Sequence, residues 1–156
     1  MVGWRVKWSI ICIGKPAHGH AREGAAFYLE RLRPLARVEC QWLKAGGGPE
    51  QESERLWQRS EGSLRLVLDE RGELLDTMTA AGRVRAWREA GVDGPKRVSI
   101  LIGGADGHAG WVRERADEVW ALSRLTLQHE LALLVMCEQL YRIHSLLAGG
   151  PYHREG

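Results

Sequence analysis

Val98–His108 reads VSILIGGADGH, an apolar run that breaks into Gly103-Gly104 and then Gly107. The run has the length and β-branched content of a buried strand, and the glycines let backbone approach a ligand closely. Two familiar phosphate-binding patterns do not fit. A P-loop needs a Lys and a Ser or Thr after its second glycine, and none follows here. A dinucleotide fingerprint needs G-x-G-x-x-G opening a helix, with an acidic residue further on; GGADG has other spacing and lies late in the chain. Taken alone, the motif also fits a plain tight turn.

On either side of this strand, apolar strand-like runs alternate with helical periodicity. Val6–Ile13 reads as a first strand and His18–Leu35 as a helix with apolar residues at helical spacing. Val38–Leu43 is a second strand. Lys44–Glu54 (KAGGGPEQESE) reads as a loop running into a polar helix near Arg55. Leu64–Leu68 is a third strand, left by the loop LDERGEL. Leu75–Ala90 is a helix, and Gly91–Pro95 a turn. Val98–Ile102 is the fourth strand, Ala109–Val119 reads as helical, and Trp120–Leu122 as a short fifth strand. Leu127–Leu147 is a long helix, with Gly149-Gly150 as its C-cap and Pro151 blocking continuation. Strands alternating with helices imply crossover connections. The expected fold class is α/β, a mainly parallel sheet flanked by helices. Ligands of such sheets lie at the carboxyl ends of strands. The loops after Leu68, Ile102 and Trp120 converge there.

Length and composition bound the rest. The 156 residues suit a single domain over 1–156, and 44% hydrophobic residues exclude a disordered chain. The longest uninterrupted apolar run, Leu131–Cys137 (LALLVMC), is too short to cross a bilayer, and no clear signal peptide opens the chain. Cys12, Cys40 and Cys137 show neither metal nor disulfide spacing, which fits a cytoplasmic protein. The net charge of +2 argues neither for nor against a nucleic-acid partner. LALLVMC is apolar on every side, so this helix is either buried in one chain or shared with a second copy, and a symmetric dimer is expected.

Read in order, FYLERL (Phe27–Leu32), LVLDERGELLDT (Leu66–Thr77), LIGGADG (Leu101–Gly107), LSRLTLQHEL and EQLYRIHSLLAGGPYHRE resemble the ribosomal large-subunit RNA methyltransferase H family, of the SPOUT superfamily. The resemblance covers essentially the whole chain. It implies a SPOUT-type fold with a C-terminal trefoil knot, which no sequence rule would propose. It also implies S-adenosylmethionine as cofactor, a homodimer, and methylation of N3 of a pseudouridine in 23S rRNA on the assembled ribosome. The cofactor contacts it implies fall on Leu68, Gly103, Gly104, Ser123, Arg124, Leu125, Thr126, Leu127 and Gln128. On this reading the glycine loop holds an adenosine and a methionine, with no phosphate to neutralise.

For the chemistry, His129 and His153 are the titratable candidates to take the N3 proton, because imidazole works near neutral pH. His129 could equally serve as a hydrogen-bonding residue at a helix start. Tyr152 offers a surface for base stacking, and Arg142, His153 and Arg154 offer further RNA contacts. Arg142 has an alternative role as the i+4 ion-pair partner of Glu138. His18 and His20, in AHGH, lack the acidic or thiol neighbours of a metal site, and no metal is expected. The seven tryptophans read mostly as core or interface. The sequence departs from the family pattern in one place. Pro, His and an Arg four residues later become Gln128, His129 and Leu133. That departure motivates two competing readings: a SPOUT methyltransferase with another RNA target, and a non-catalytic ribosome-binding module.

Overall fold

The computed structural model describes residues 6–152. Five parallel strands form one sheet in the order β2-β1-β4-β3-β5. The strands are β1 (Lys7–Ile13), β2 (Arg37–Leu43), β3 (Leu64–Leu74), β4 (Arg97–Ile102) and β5 (Glu118–Ala121). The helices are α1 (Gly19–Leu32), α2 (Gly48–Arg59), α3 (Thr77–Glu89), α4 (Gly110–Arg115) and α5 (His129–Leu147). β1 and β4 lie inside the sheet and are covered on both faces. They therefore read as unbroken apolar runs, while the edge strand β2 is only half-buried.

Alternation along the strands sorts side chains into two cores. Trp8, Ile10 and Cys12 join the larger one, beneath α1, α3 and α5. Ile11 and Ile13 join the smaller one, beneath α2 and α4. The apolar stretch of α5 is largely explained within one chain. Leu133, Met136, Cys137 and Leu140 are buried, with the helix lying against both α1 and α3, while Leu131 stays exposed. α5 ends in a Schellman arrangement: Gly149 takes φ +78°, its N–H reaches Leu146 O at 3.0 Å, and Gly150 N–H reaches Ser145 O at 2.8 Å.

Several element boundaries differ from the sequence reading. α1 stops at Leu32 and not Leu35, since Pro34 has no N–H to continue it. α2 begins inside the expected loop, at Gly48, because left-handed Gly47 (φ 86°) turns the chain and Pro49 suits a first helical turn. α4 ends at Arg115. There Asp117 docks onto β3, its N–H reaching Arg65 O at 3.1 Å and its carboxylate accepting Arg65 N–H at 2.8 Å, so β5 starts at Glu118. Most consequentially, β3 does not end at Leu68. Pairing with β5 jumps from Leu68↔Trp120 to Glu73↔Trp120, so residues 69–72 bulge out and the strand resumes. Gly72 permits the return: a Cβ there would lie 2.6 Å from Val119 O.

Six of the seven tryptophans fall among the described residues. Trp8 and Trp120 are buried, and Trp42, Trp57, Trp87 and Trp111 pack half-buried against the two cores. Burial raises the thiol pKa of Cys12 and Cys137 well above the ordinary value and that of Cys40 to about 11, so all three are packing groups rather than nucleophiles. Among the described residues no helix is long and apolar enough to cross a membrane.

Candidate active site

A cleft of about 510 Å³ opens at the carboxyl ends of β3, β4 and β5. That is a cofactor-sized volume. Its walls are the 69–72 bulge, the segment Ile102–His108 and the segment Leu122–His129. Leu68, Gly103, Gly104, Ser123, Leu125, Thr126, Leu127, Gln128 and His129 all line it, so most of the sequence-derived site residues come together in one place.

Among the residues expected to contact the cofactor, Arg124 alone does not line the cleft. Its guanidinium Nη1 donates to Glu70 O at 2.8 Å and to Gly72 O at 3.0 Å. It therefore clamps the bulge to the 122–128 segment. Thr126 strengthens the same seam by donating its hydroxyl to the Glu70 carboxylate at 2.5 Å. Ser123 Oγ accepts Leu125 N–H at 2.9 Å and shapes the turn. Leu125 is 76% exposed, so its side chain stands at the cleft mouth.

The glycines act differently from the simplest expectation. A Cβ on Gly104 would meet Glu52 Oε1 at 3.1 Å and Ile13 Cγ2 at 3.2 Å, so the tight fit at Gly104 is against the protein packed behind the loop, and a larger residue there needs those side chains to give by a few tenths of an ångström. Glu52 holds that position through its 2.8 Å bond from Gly46 N–H. Gly103 lies against Gly107, where a Cβ would be 3.1 Å from the carbonyl carbon, and Gly104 and Gly107 bridge across the turn. The result is a tight hairpin-like loop with little side chain facing the cleft.

Sequence reasoning missed a polar group on the cleft floor. Asp69 and Arg113 form an ion pair at 3.1 Å, with side chains 10% and 25% exposed. Beside them His108 Nε2 lies 3.1 Å from Leu68 O. Burial, aided by Arg113, lowers the His108 pKa, so the ring is neutral and Nε2–H donates. Its Nδ1 is buried with no hydrogen-bond partner among the described residues. No periodic or motif signal marks this group, since Asp69, His108 and Arg113 come from three separate segments. The lining is thus apolar wall, loop backbone, the Asp69–Arg113 ion pair and the further charged residues Glu70, Arg71 and Asp106. It suits a ligand with apolar, hydrogen-bonding and cationic parts: Arg71 is its one arginine without an ion pair among the described residues, and the lining also carries Glu70 and Asp106.

His129 is the first residue of α5 and borders the cleft. The helix-start hydrogen bonds are made by its neighbour: Gln128 Oε1 accepts from Glu130 N–H and Leu131 N–H, both at 3.1 Å. Gln128 has φ −59°, a value that proline also imposes, so glutamine can replace the family's proline without changing the backbone. Leu133 is 2% exposed in the larger core and does not reach the cleft. Arg142 pairs with Glu138 at 2.7 Å and lies 4.6 Å over the Tyr152 ring; Tyr152 also packs on Tyr141 with ring centroids 4.8 Å apart. These residues sit away from the cleft in this chain. His153 and Arg154 lie outside the described residues. His18 bonds the buried Glu130 carboxylate through its backbone N–H at 2.9 Å and its Nδ1 at 3.0 Å, and its ring stacks on His20. Among the described residues no three His, Cys, Asp or Glu side chains gather as a metal site.

A parallel α/β sheet with a cofactor-sized cleft of loop backbone at its strand ends defines a ligand-binding α/β protein of the kind that carries small-molecule transfer chemistry. The profile of a family described as "Predicted SPOUT methyltransferase" matches residues 6–153, and the chain belongs to that family. Among curated relatives it is 44% identical over 145 residues to the Ribosomal RNA large subunit methyltransferase H of Thermus thermophilus, covering 93% of this chain and 96% of that one. It is 37% identical to the protein of the same name from Dechloromonas aromatica, covering 97% of this chain and all of that one. Among solved structures it resembles a probable methylase family protein from Haemophilus influenzae (TM-score 0.58, 10% identity, 92% of this chain and 69% of that one). A probable methyltransferase from Bordetella pertussis is similar (TM-score 0.54, 13% identity, 90% and 94%). At such identities the structural likenesses speak for the fold alone.

Proposed function

We propose that this methyltransferase acts on large-subunit ribosomal RNA, transferring a methyl group from S-adenosylmethionine to N3 of a pseudouridine in 23S rRNA on the assembled ribosome. One observation carries the reading: the cleft at the ends of β3, β4 and β5 gathers Leu68, Gly103, Gly104 and most of the 123–128 segment, with Arg71 as its one arginine lacking an ion pair among the described residues. The full-length likeness to relatives named for this activity supports it.

When bound, S-adenosylmethionine supplies an activated methyl group, so the chain's own task is to bind, align and manage one proton. Leu68, Leu125 and Leu127 offer apolar walls, and the Gly103-Gly104 backbone offers donors and acceptors to an adenine edge. Arg124 acts by holding the bulge rather than by touching the cofactor. The Glu70 carboxylate places negative charge near a cationic ligand, whereas that of Asp69 is taken up by Arg113. His129, relieved of capping by Gln128 and bordering the cleft, is one candidate to take the N3 proton; His153 is the other. Arg142, Tyr152, His153 and Arg154 are the proposed RNA contacts.

The proposal includes a single domain over 1–156, a cytoplasmic protein, a homodimer and a trefoil knot. Exposed Phe27, Leu125 and Leu131 favour a covering second copy. Burial of Leu133 removes the main motive for a different RNA target, because that departure lies in the core.

The deciding experiment is transfer of labelled methyl from S-adenosylmethionine to ribosomes that lack this modification, with the position mapped by mass spectrometry. Label at N3 of a 23S pseudouridine is the expected result. Label elsewhere in RNA would redirect the target. Cofactor binding without any label would favour a non-catalytic ribosome-binding module.

A further inference from the structure

A second cleft, of about 330 Å³, lies between α2 and α4, on the sheet face away from α1, α3 and α5. Trp57 and Trp111 form its base, edge to face with centroids 5.4 Å apart. Glu50 and Glu54, one helical turn apart on α2, line it too. Glu50 accepts the Trp111 indole N–H at 2.6 Å. Glu54 makes no ion pair among the described residues. Closing the smaller core requires the apolar area of the two indoles. It does not require an open cleft bordered by two carboxylates.

The chain itself demonstrates what these indoles accept. The Arg65 guanidinium lies 3.8 Å over Trp57, and the Arg115 guanidinium 5.2 Å over Trp111. Arg65 is tied down by bonds to Trp57 O and Ser60 Oγ, whereas Arg115 is exposed, lines the cleft itself and makes no ion pair among the described residues, so an incoming cation would displace its side chain from Trp111. Cation–π attraction and neighbouring carboxylates reinforce each other for a planar cation. The same carboxylates repel phosphate, so this face is ill-suited to the RNA backbone.

We infer that the Trp57–Trp111 cleft is a docking site for a basic peptide segment of a protein partner, with an arginine side chain seated between the indoles and the Glu50 and Glu54 carboxylates. The inference is independent of the target nucleotide. It supplies protein recognition on a surface where a net charge of only +2 gives little general attraction to RNA.

The test follows the indole N–H signals of Trp57 and Trp111 by NMR in the full chain, during titration with a capped hexa-arginine peptide and, separately, a short RNA hairpin. Saturable shifts of these signals by the peptide are expected. In Glu54→Gln, which removes charge but no hydrogen bond seen here, the affinity should weaken by more than about threefold, the scale of one exposed charge pair. Unmoved indole signals, or affinity within threefold of the parent in Glu54→Gln, would overturn the inference. So would an RNA hairpin that shifts the same signals at lower concentration than the peptide.

Discussion

Replacing Arg124 by alanine tests whether the 69–72 bulge is held by a clamp. The guanidinium makes two bonds, 2.8 Å to Glu70 O and 3.0 Å to Gly72 O, across the seam between two cleft walls. A charge-assisted bond to a buried carbonyl is worth up to about 3 kcal/mol, but Arg124 is exposed and water competes, so about 1 kcal/mol each is the better figure. Losing both costs about 2 kcal/mol in holding the cleft closed, or about thirtyfold in affinity if cofactor binding must restore that order. The Thr126–Glu70 bond remains and limits the loss, so tenfold to thirtyfold weaker binding is expected. Calorimetric titration with S-adenosylmethionine reads the affinity, and differential scanning calorimetry reads the fold. Both walls are surface segments, so the melting temperature should fall by no more than about 4 °C. Affinity within twofold of the parent would refute the clamp. A much larger fall in melting temperature would refute its local character.

Stability should also fall in acid through His144. Burial lowers its pKa to about 4, and its Nδ1 lies 2.9 Å from Leu140 O. The unfolded chain takes up this proton near pH 6.5, so the contribution is intact above that pH and is lost as pH falls toward 4. About 3 kcal/mol is at stake. His144→Gln should flatten this limb in chemical denaturation between pH 7 and 4; an unchanged slope would count against it. Leu133→Arg restores the family's residue but buries an unpaired guanidinium in the larger core. A loss of at least about 3 kcal/mol, or roughly 6–12 °C in melting temperature, is expected, with no gain in methyl transfer. Gln128→Pro should keep the backbone and remove two helix-start acceptor contacts, costing about 1 kcal/mol in denaturant titration.

The strands were legible because parallel strands covered on both faces must be continuously apolar, as β1 and β4 are. α5 was legible from its apolar positions, Gly149-Gly150 and Pro151. Boundaries set by long-range contacts were not. β5 starts two residues early because Asp117 bonds Arg65, 52 positions away in the chain. α2 starts early because three glycines and a proline, read as loop composition, in fact turn the chain and open a helix.

The candidate site divides in the same way. Strand ends and the glycine loop carry local signals, so the pattern of the chain located the three loops, while the individual residues of 123–128 came only from the family resemblance. Sequence alone could not assign Arg124 to a clamp, Leu133 to the core, or Gly104 to packing against Glu52 and Ile13. Nor could it assemble the Asp69–Arg113 pair with His108. Local pattern determined which residues form strands, helices and turns, because backbone preference and burial period act over a few neighbours. Only the tertiary structure decided what each side chain faces, because those partners lie tens of residues away and meet only when β3, β4 and β5 align.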